Sequence, residues 1–293
     1  MFGIALSRGR APLKLRCFIK VRRVHDLGAY LERIGLRERP TVAEVHRAHL
    51  TSIPFENLDP QRGVPVSLAL EDLERKLVEE RRGGYCFEQN MLLGAALEDL
   101  GAEVELLLAR VRMGAPSGAV RPRSHLVLRV EAEGASWHAD VGFGLGSLLE
   151  PIPFGPGAPY EQAGWRFRVV EDGRVLVLQT ERGGGWVDLY GFDPEPVPLV
   201  DVETANWYTA TYPRSPFVSG LVVAAQRGDG TRTSLSNWRE LALTEQTPAE
   251  SIVTPIAPED IPELLASRFD LSGWSVGAEG RVVPAMDGSG RPA

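Results

Sequence analysis

Cysteine is scarce in this chain, which has two among 293 residues, Cys17 and Cys86. That excludes a disulfide framework and suits a reducing compartment, where a thiol is either inert or catalytic. Long apolar runs are missing too. The richest stretches, around Leu106 and Leu221, are far shorter than the roughly 18 to 20 residues that cross a bilayer, so no membrane span is expected. Acidic side chains are absent from residues 1–23, which carry seven basic ones, and the remainder has a net charge of −14. An acidic body repels phosphate backbones, so nucleic acid is not an expected partner. The basic segment also lacks the apolar core of an export signal, its longest such stretch being Gly3 to Leu6. Residues 1–25 therefore read as a basic N-terminal extension of a cytoplasmic protein. What is present is 43% hydrophobic, with 31 Gly and 22 Pro, which suits one to three globular domains with an ample core.

The first hundred residues carry helical periodicity. Asp26 is placed to cap a helix with Leu27, Tyr30, Leu31 and Ile34 on one stripe, stopped by Gly35. Thr41 with Glu44 makes a capping box for a second helix that ends at the Ile53-Pro54 step. Leu70, Leu73 and Leu77 predict a third over residues 68–81. His46 and His49 sit three apart, as a metal pair can, but no third ligand of matching type lies nearby, so no metal is expected.

Cys86 follows Gly83 and Gly84 and opens another helix, with Met91, Leu92, Ala95, Ala96 and Leu100 toward the core. The glycines permit close backbone approach, and unpaired amides at a helix start favour negative charge, as a sulfur nucleophile requires. A small buried hydrophobe is the plainer reading of the same residue.

After Gly101 the period becomes alternating, predicting strands over residues 104–113, 125–131 and 136–141. A two-residue turn at Glu133-Gly134 sets Leu126 opposite Val141, Leu128 opposite Ala139 and Val130 opposite Trp137. His125 and Asp140 then become diagonal neighbours on the other face, within side-chain reach. His138 falls opposite Arg129, whose charge disfavours a proton acceptor, so His125 is the better base and Asp140 its orienting carboxylate. A surface His-Asp pair without catalytic meaning fits the same spacing.

Three segments, residues 82–90 (RGGYCFEQN), 124–128 (SHLVL) and 137–144 (WHADVGFG), together resemble the arylamine N-acetyltransferase family. Residues 53–59 (IPFENLD) and the stretch from Ala205-Asn206 through Tyr212-Pro213 to Pro216-Phe217-Val218 resemble further signatures of that family, and the resemblance covers about residues 26–265. It implies an α+β fold with a cysteine-protease-like core: a helical bundle over 26–103, a β-barrel over 104–205, and a connecting segment with an α/β lid over 206–293. It implies a catalytic triad of Cys86, His125 and Asp140. Acetyl-CoA would acetylate Cys86, and the thioester would pass its acyl group to an aromatic amine or hydrazine, a xenobiotic-metabolising role. Phe55, Phe143 and Phe217 would border the acceptor, and Gly144 would lie near coenzyme A. The run Val120-Arg121-Pro122-Arg123 departs from the family in being bulky and basic, and Arg121 and Arg123 are candidates to attract the coenzyme phosphates.

Two other classes compete. A papain- or transglutaminase-like thiol hydrolase or acyltransferase would use the same three residues, but a C-G-S-C-W signature is missing around Cys86, as is an acidic calcium loop. A binding module without activity would have no use for an intact triad. Residues 218–244 read as a hairpin turning at Gly228-Asp229-Gly230, and 258–269 as a short amphipathic helix. The tail beyond Ser272 is open to two readings, a wall of the coenzyme cleft or a disordered end.

Overall fold

A computed structural model describes residues 24–37, 39–116, 118–277 and 280–286. Cys17, most of the basic extension and the last residues of the tail lie outside the described residues.

The helices form where local signals place them. In α1 (Leu27–Arg33), the Asp26 side chain accepts the Ala29 N–H at 2.9 Å. In α2 (Val42–Ser52), Thr41 and Glu44 close the expected capping box, and Ile53 ends the helix before Pro54. The two-residue strand β1 (Phe55–Glu56) follows, then the short α3 (Leu58–Gln61) and α4 (Leu70–Leu73). The α-helix predicted over 68–81 is not continuous: from Glu74 to Glu79 the chain is a π-helix. One carboxylate and one ammonium group, each drawn to partners outside the helix, accompany the widening. Glu74 accepts the amides of His25 and Asp26, while Lys76 is turned inward to Asp59 and Glu88. Leu70, Leu73 and Leu77 are buried as the periodicity requires. Cys86 opens α5 (Cys86–Asp99), whose residues 86–97 are all buried.

Eight antiparallel strands make a barrel-like sheet: β2 (Glu103–Val111), β3 (His125–Ala132), β4 (Ala135–Ala139), β5 (Ile152–Pro153), β6 (Tyr160–Gln162), β7 (Trp165–Asp172), β8 (Val175–Arg182) and β9 (Gly185–Phe192), in the order β5-β4-β3-β2-β9-β8-β7-β6. The β3–β4 hairpin has the predicted register, Leu128 to Ala139, Arg129 to His138 and Val130 to Trp137, with Glu133 and Gly134 both at positive φ. Strand β4 stops at Ala139, before the predicted end. Asp140 leaves the ladder because its carboxylate turns to the Gly142 N–H and to α5, so the expected Leu126–Val141 pair does not form.

Helices α6 (Leu199–Thr211) and α7 (Pro216–Ser219) lead to the last part, containing β10 (Val222–Gln226), β11 (Arg232–Ser236), β12 (Ala242–Gln246), β13 (Ser251–Pro255), α8 (Ile261–Phe269), β14 (Trp274–Val276) and β15 (Val282–Pro284). The predicted 228–230 turn joins β10 to β11. Its sheet runs β1-β10-β11-β12-β13, so the strand from the helical part is its first member. One apolar core joins α1, α2 and α5 to β2 and β3, a second fills the barrel, and a third lies between the last sheet and α8.

Candidate active site

Cys86 stands at the first position of α5, in the turn whose amides have no intrahelical acceptor. The approach to it is tight. Gly84 accepts the Glu56 N–H at 3.0 Å, forming a parallel bridge with Phe55, and a Cβ on Gly83 would collide with the Pro54 carbonyl. Glu88 Oε2 takes the Tyr85 N–H at 3.0 Å and so caps the helix from within its first turn.

His125 begins β3, and its Nε2 lies 2.8 Å from Asp140 Oδ2, with both side chains almost fully buried. The other ring nitrogen is thereby left free to face Cys86, whose thiol lies 3.7 Å from the Ser124 carbonyl, one residue before His125. Burial opposes the imidazolium, but the Asp140 charge and hydrogen bond, with Cys86 adding to them, push His125 up to about 10. Burial would raise Asp140, yet the His125 charge and the hydrogen bonds from His125, Asn90 and Gly142 hold it at about 2. At neutral pH the pair therefore holds an imidazolium against a carboxylate.

Asp140 is braced on every side. Asn90 Nδ2 donates to its Oδ1 at 2.9 Å and also to the Leu126 carbonyl, while Asn90 Oδ1 accepts the Val141 N–H. The His46 Nε2 accepts the Asp140 backbone N–H at 3.1 Å, which leaves its Nδ1 proton for the Leu149 carbonyl. The Tyr190 hydroxyl lies 2.8 Å from His138 Nε2, and its ring lies against that of His125. Burial lowers His46 and His138 to about 4, so both are neutral supports. His49 is also buried, set between the Tyr30 hydroxyl and Gln89 Oε1. Asn90, Tyr190 and the buried role of His46 were not assigned from sequence. Asn90 had a legible signal, since four residues after Cys86 it shares that residue's helix face.

The aromatic candidates gather around this line. The Phe143 ring meets His125 edge-on at 5.1 Å, Phe55 lies against Gly144, and Phe217 contacts both Phe55 and Tyr85. Trp238, half-exposed, extends the cluster from Phe217 toward solvent. Arg121 does not join them: its guanidinium donates to the carbonyls of Met113 and Gly114. Arg123 is exposed two residues before His125.

Glu56 and Arg82 pair at 2.7 Å, within a larger buried network. Arg82 also reaches Asp59 at 3.0 Å, and Lys76 bridges Asp59 at 2.6 Å to Glu88 at 2.7 Å. Arg62 completes the cluster through Asp59, and the Trp274 ring lies under both arginines. Burial would raise Asp59, but Lys76 and Arg82 keep it well below the usual carboxylate range.

The family model for N-acetyltransferases matches residues 40–273. Among curated proteins, the arylamine N-acetyltransferase of Mycolicibacterium smegmatis is 41% identical over 89% of this chain and 98% of its own length. Among solved structures, the M. smegmatis arylamine N-acetyltransferase superposes with a TM-score of 0.79 at 39% identity, covering 84% of this chain and 92% of that one. The Mycobacterium marinum arylamine N-acetyltransferase in complex with CoA gives the same TM-score at 34% identity, over 84% of this chain and 93% of that one. The chain belongs to the arylamine N-acetyltransferase family.

Proposed function

We propose that this protein transfers an acetyl group from acetyl-CoA, through a thioester on Cys86, to the nitrogen of an aromatic amine or hydrazine. The observation that carries this reading is the buried His125–Asp140 pair, 2.8 Å apart, beside a cysteine at a helix start. In the first half-reaction the Cys86 sulfur attacks the thioester carbonyl of acetyl-CoA. The carbon–sulfur bond to the coenzyme breaks, and the departing thiolate takes the His125 proton. Exchange of one thioester for another changes the energy little, so the demand falls on an activated sulfur and on donors for the oxyanion, part of which the first-turn amides of α5 would supply. In the second half-reaction the amine attacks the acetyl carbon, His125 takes its proton, and the Cys86 thiolate leaves.

A flat acceptor ring needs an apolar slot, and Phe55, Phe143 and Phe217 would border it. Gly144, against Phe55, would lie near the coenzyme. Of the two arginines, Arg123 would be the freer to meet the coenzyme phosphates, because Arg121 is held by backbone carbonyls. Among the described residues no helix is long and apolar enough to cross a membrane, and a cytoplasmic role in xenobiotic metabolism belongs to the same proposal. The thiol-hydrolase reading is set aside because the N-acetyltransferase match runs through residues 40–273.

The test is intact mass after incubation with acetyl-CoA and no acceptor. One acetyl adduct is expected in the wild type and none in Cys86→Ala; an active wild-type enzyme that never carries the adduct would overturn the thioester route.

A further inference from the structure

Where the last sheet meets the barrel, the structure buries a cation without a counter-charge. Arg232 on β11 is 1% exposed, and its guanidinium lies over the Trp165 ring of β7 at 3.7 Å and near Phe167. Its single hydrogen bond among the described residues is a long one, 3.4 Å, from Nη2 to the Ser147 carbonyl; Nε and Nη1 have no acceptor. Burial, with the Arg182 charge added, lowers Arg232 to about 9, which leaves it protonated at neutral pH.

Among the described residues no carboxylate forms an ion pair with it, and the polar groups beside it are themselves unpaired. Cross-strand register sets Arg232 between Gln226 on β10 and Gln246 on β12, on one sheet face. The buried Gln226 amide has neither its nitrogen nor its oxygen paired, Gln246 Oε1 is unpaired, and Arg182 Nε is buried without a partner. Arg182, Gln246 and Trp165 also border a cleft of about 410 Å³. Two carboxylates line that cleft, but Glu181 is taken by Arg166 at 2.5 Å and Glu250 is exposed. Orphaned polar atoms in a native interior call for a bound water or ion, and here a buried guanidinium faces a buried amide across β10 and β11 while the Arg182 charge acts on it.

We infer that this row is a binding site for a small, chloride-sized monovalent anion, held by Arg232 and Arg182 and by the side-chain amide of Gln226. Rotating the Gln226 or Gln246 amide about its last bond turns an NH2 group toward the ion. The near-complete burial of Arg232 excludes a coenzyme phosphate chain from the same place. The site also touches the active-site loop, because the Ser147 that Arg232 reaches accepts the Phe143 N–H on its hydroxyl.

The experiment uses the full chain. Melting temperature is followed as chloride or bromide replaces gluconate at constant ionic strength, and bromide-soaked crystals are examined for anomalous scattering. The wild type is expected to gain a saturable rise of a few degrees, Arg182→Gln a smaller one, and Arg232→Met none. Because Arg232→Met removes an uncompensated charge, its melting temperature in gluconate should equal or exceed that of the wild type. A bromide peak is expected within hydrogen-bonding distance of Arg232 and Gln226. An anion-insensitive wild type, or water alone beside the guanidinium, would overturn the inference, as would a bromide peak with no saturable response in solution, which marks an adventitious ion only. Should Arg232→Met not fold, the wild-type and Arg182→Gln titrations and the bromide map still decide the matter.

Discussion

Asn90 lies one helical turn beyond Cys86 on α5, and its side-chain amide donates to the Asp140 carboxylate at 2.9 Å. A single helix thus carries Cys86 and fixes the carboxylate that pairs with His125. Losing a hydrogen bond to a buried charge costs about 1.5–3 kcal/mol. Asn90→Leu is therefore expected to slow thioester formation roughly ten- to a hundredfold, since about 1.4 kcal/mol corresponds to a factor of ten. Stopped-flow measurement of CoA release checks this, and a rate within twofold of wild type would remove Asn90 from the mechanism.

The His125–Asp140 pair defines a pH window. The folded pKa of His125 is raised from 6.5 to about 10, so its contribution to stability is complete below 6.5 and is lost as pH rises through about 10. That of Asp140 is lowered from 3.8 to about 2, so its contribution is present above 3.8 and is lost as pH falls toward about 2. Histidine NMR should show the His125 ring still protonated well above neutrality. In Asp140→Asn, burial acts unopposed by the carboxylate, and the ring should titrate below its ordinary value; an unchanged midpoint would contradict the pairing.

Lys76 joins two carboxylates inside the protein, so Lys76→Met leaves Asp59 and Glu88 without it. Breaking a buried pair on one side costs about 3–5 kcal/mol. Urea unfolding should show a loss of that size, whereas Arg75→Met, which removes exposed pairs with Asp72 and Glu80, should leave the midpoint nearly unchanged.

Gly142 is required for contact with α5. A Cβ there would lie 2.6 Å from the Cys86 Cα and 2.9 Å from Asn90 Nδ2. Overpacking of this kind costs about 1–3 kcal/mol of stability. Gly142→Ala should lose proportionately more of its acetylation rate than of its stability, because the displaced atoms belong to the site. Parallel rate and melting measurements decide, and equal losses would mark Gly142 as a packing residue alone.

The parts of this architecture that were legible in sequence are those set by local rules. Asp26 and Thr41 announce helix starts through their own side chains, and Glu133-Gly134 fixes the hairpin register that brings His125 to Asp140. The supports of the site come from distant chain positions. His46 and Asn90 reach Asp140 from α2 and α5, Tyr190 of β9 packs on His125, and no periodicity encodes that convergence. The π-helix was illegible for the same reason: Leu70, Leu73 and Leu77 satisfy an ordinary helical stripe, while the widening answers to Glu74 and Lys76, whose partners lie at residues 25, 26, 59 and 88.

Strand β1 is two residues long, yet its backbone is shared. Phe55 bridges to Gly84, two residues before the sulfur, and pairs with Ala224 of the last sheet. Any swing of that sheet away from the barrel would pull on the backbone beneath Cys86. The sheet and the turn that opens α5 are thus geared together by one residue.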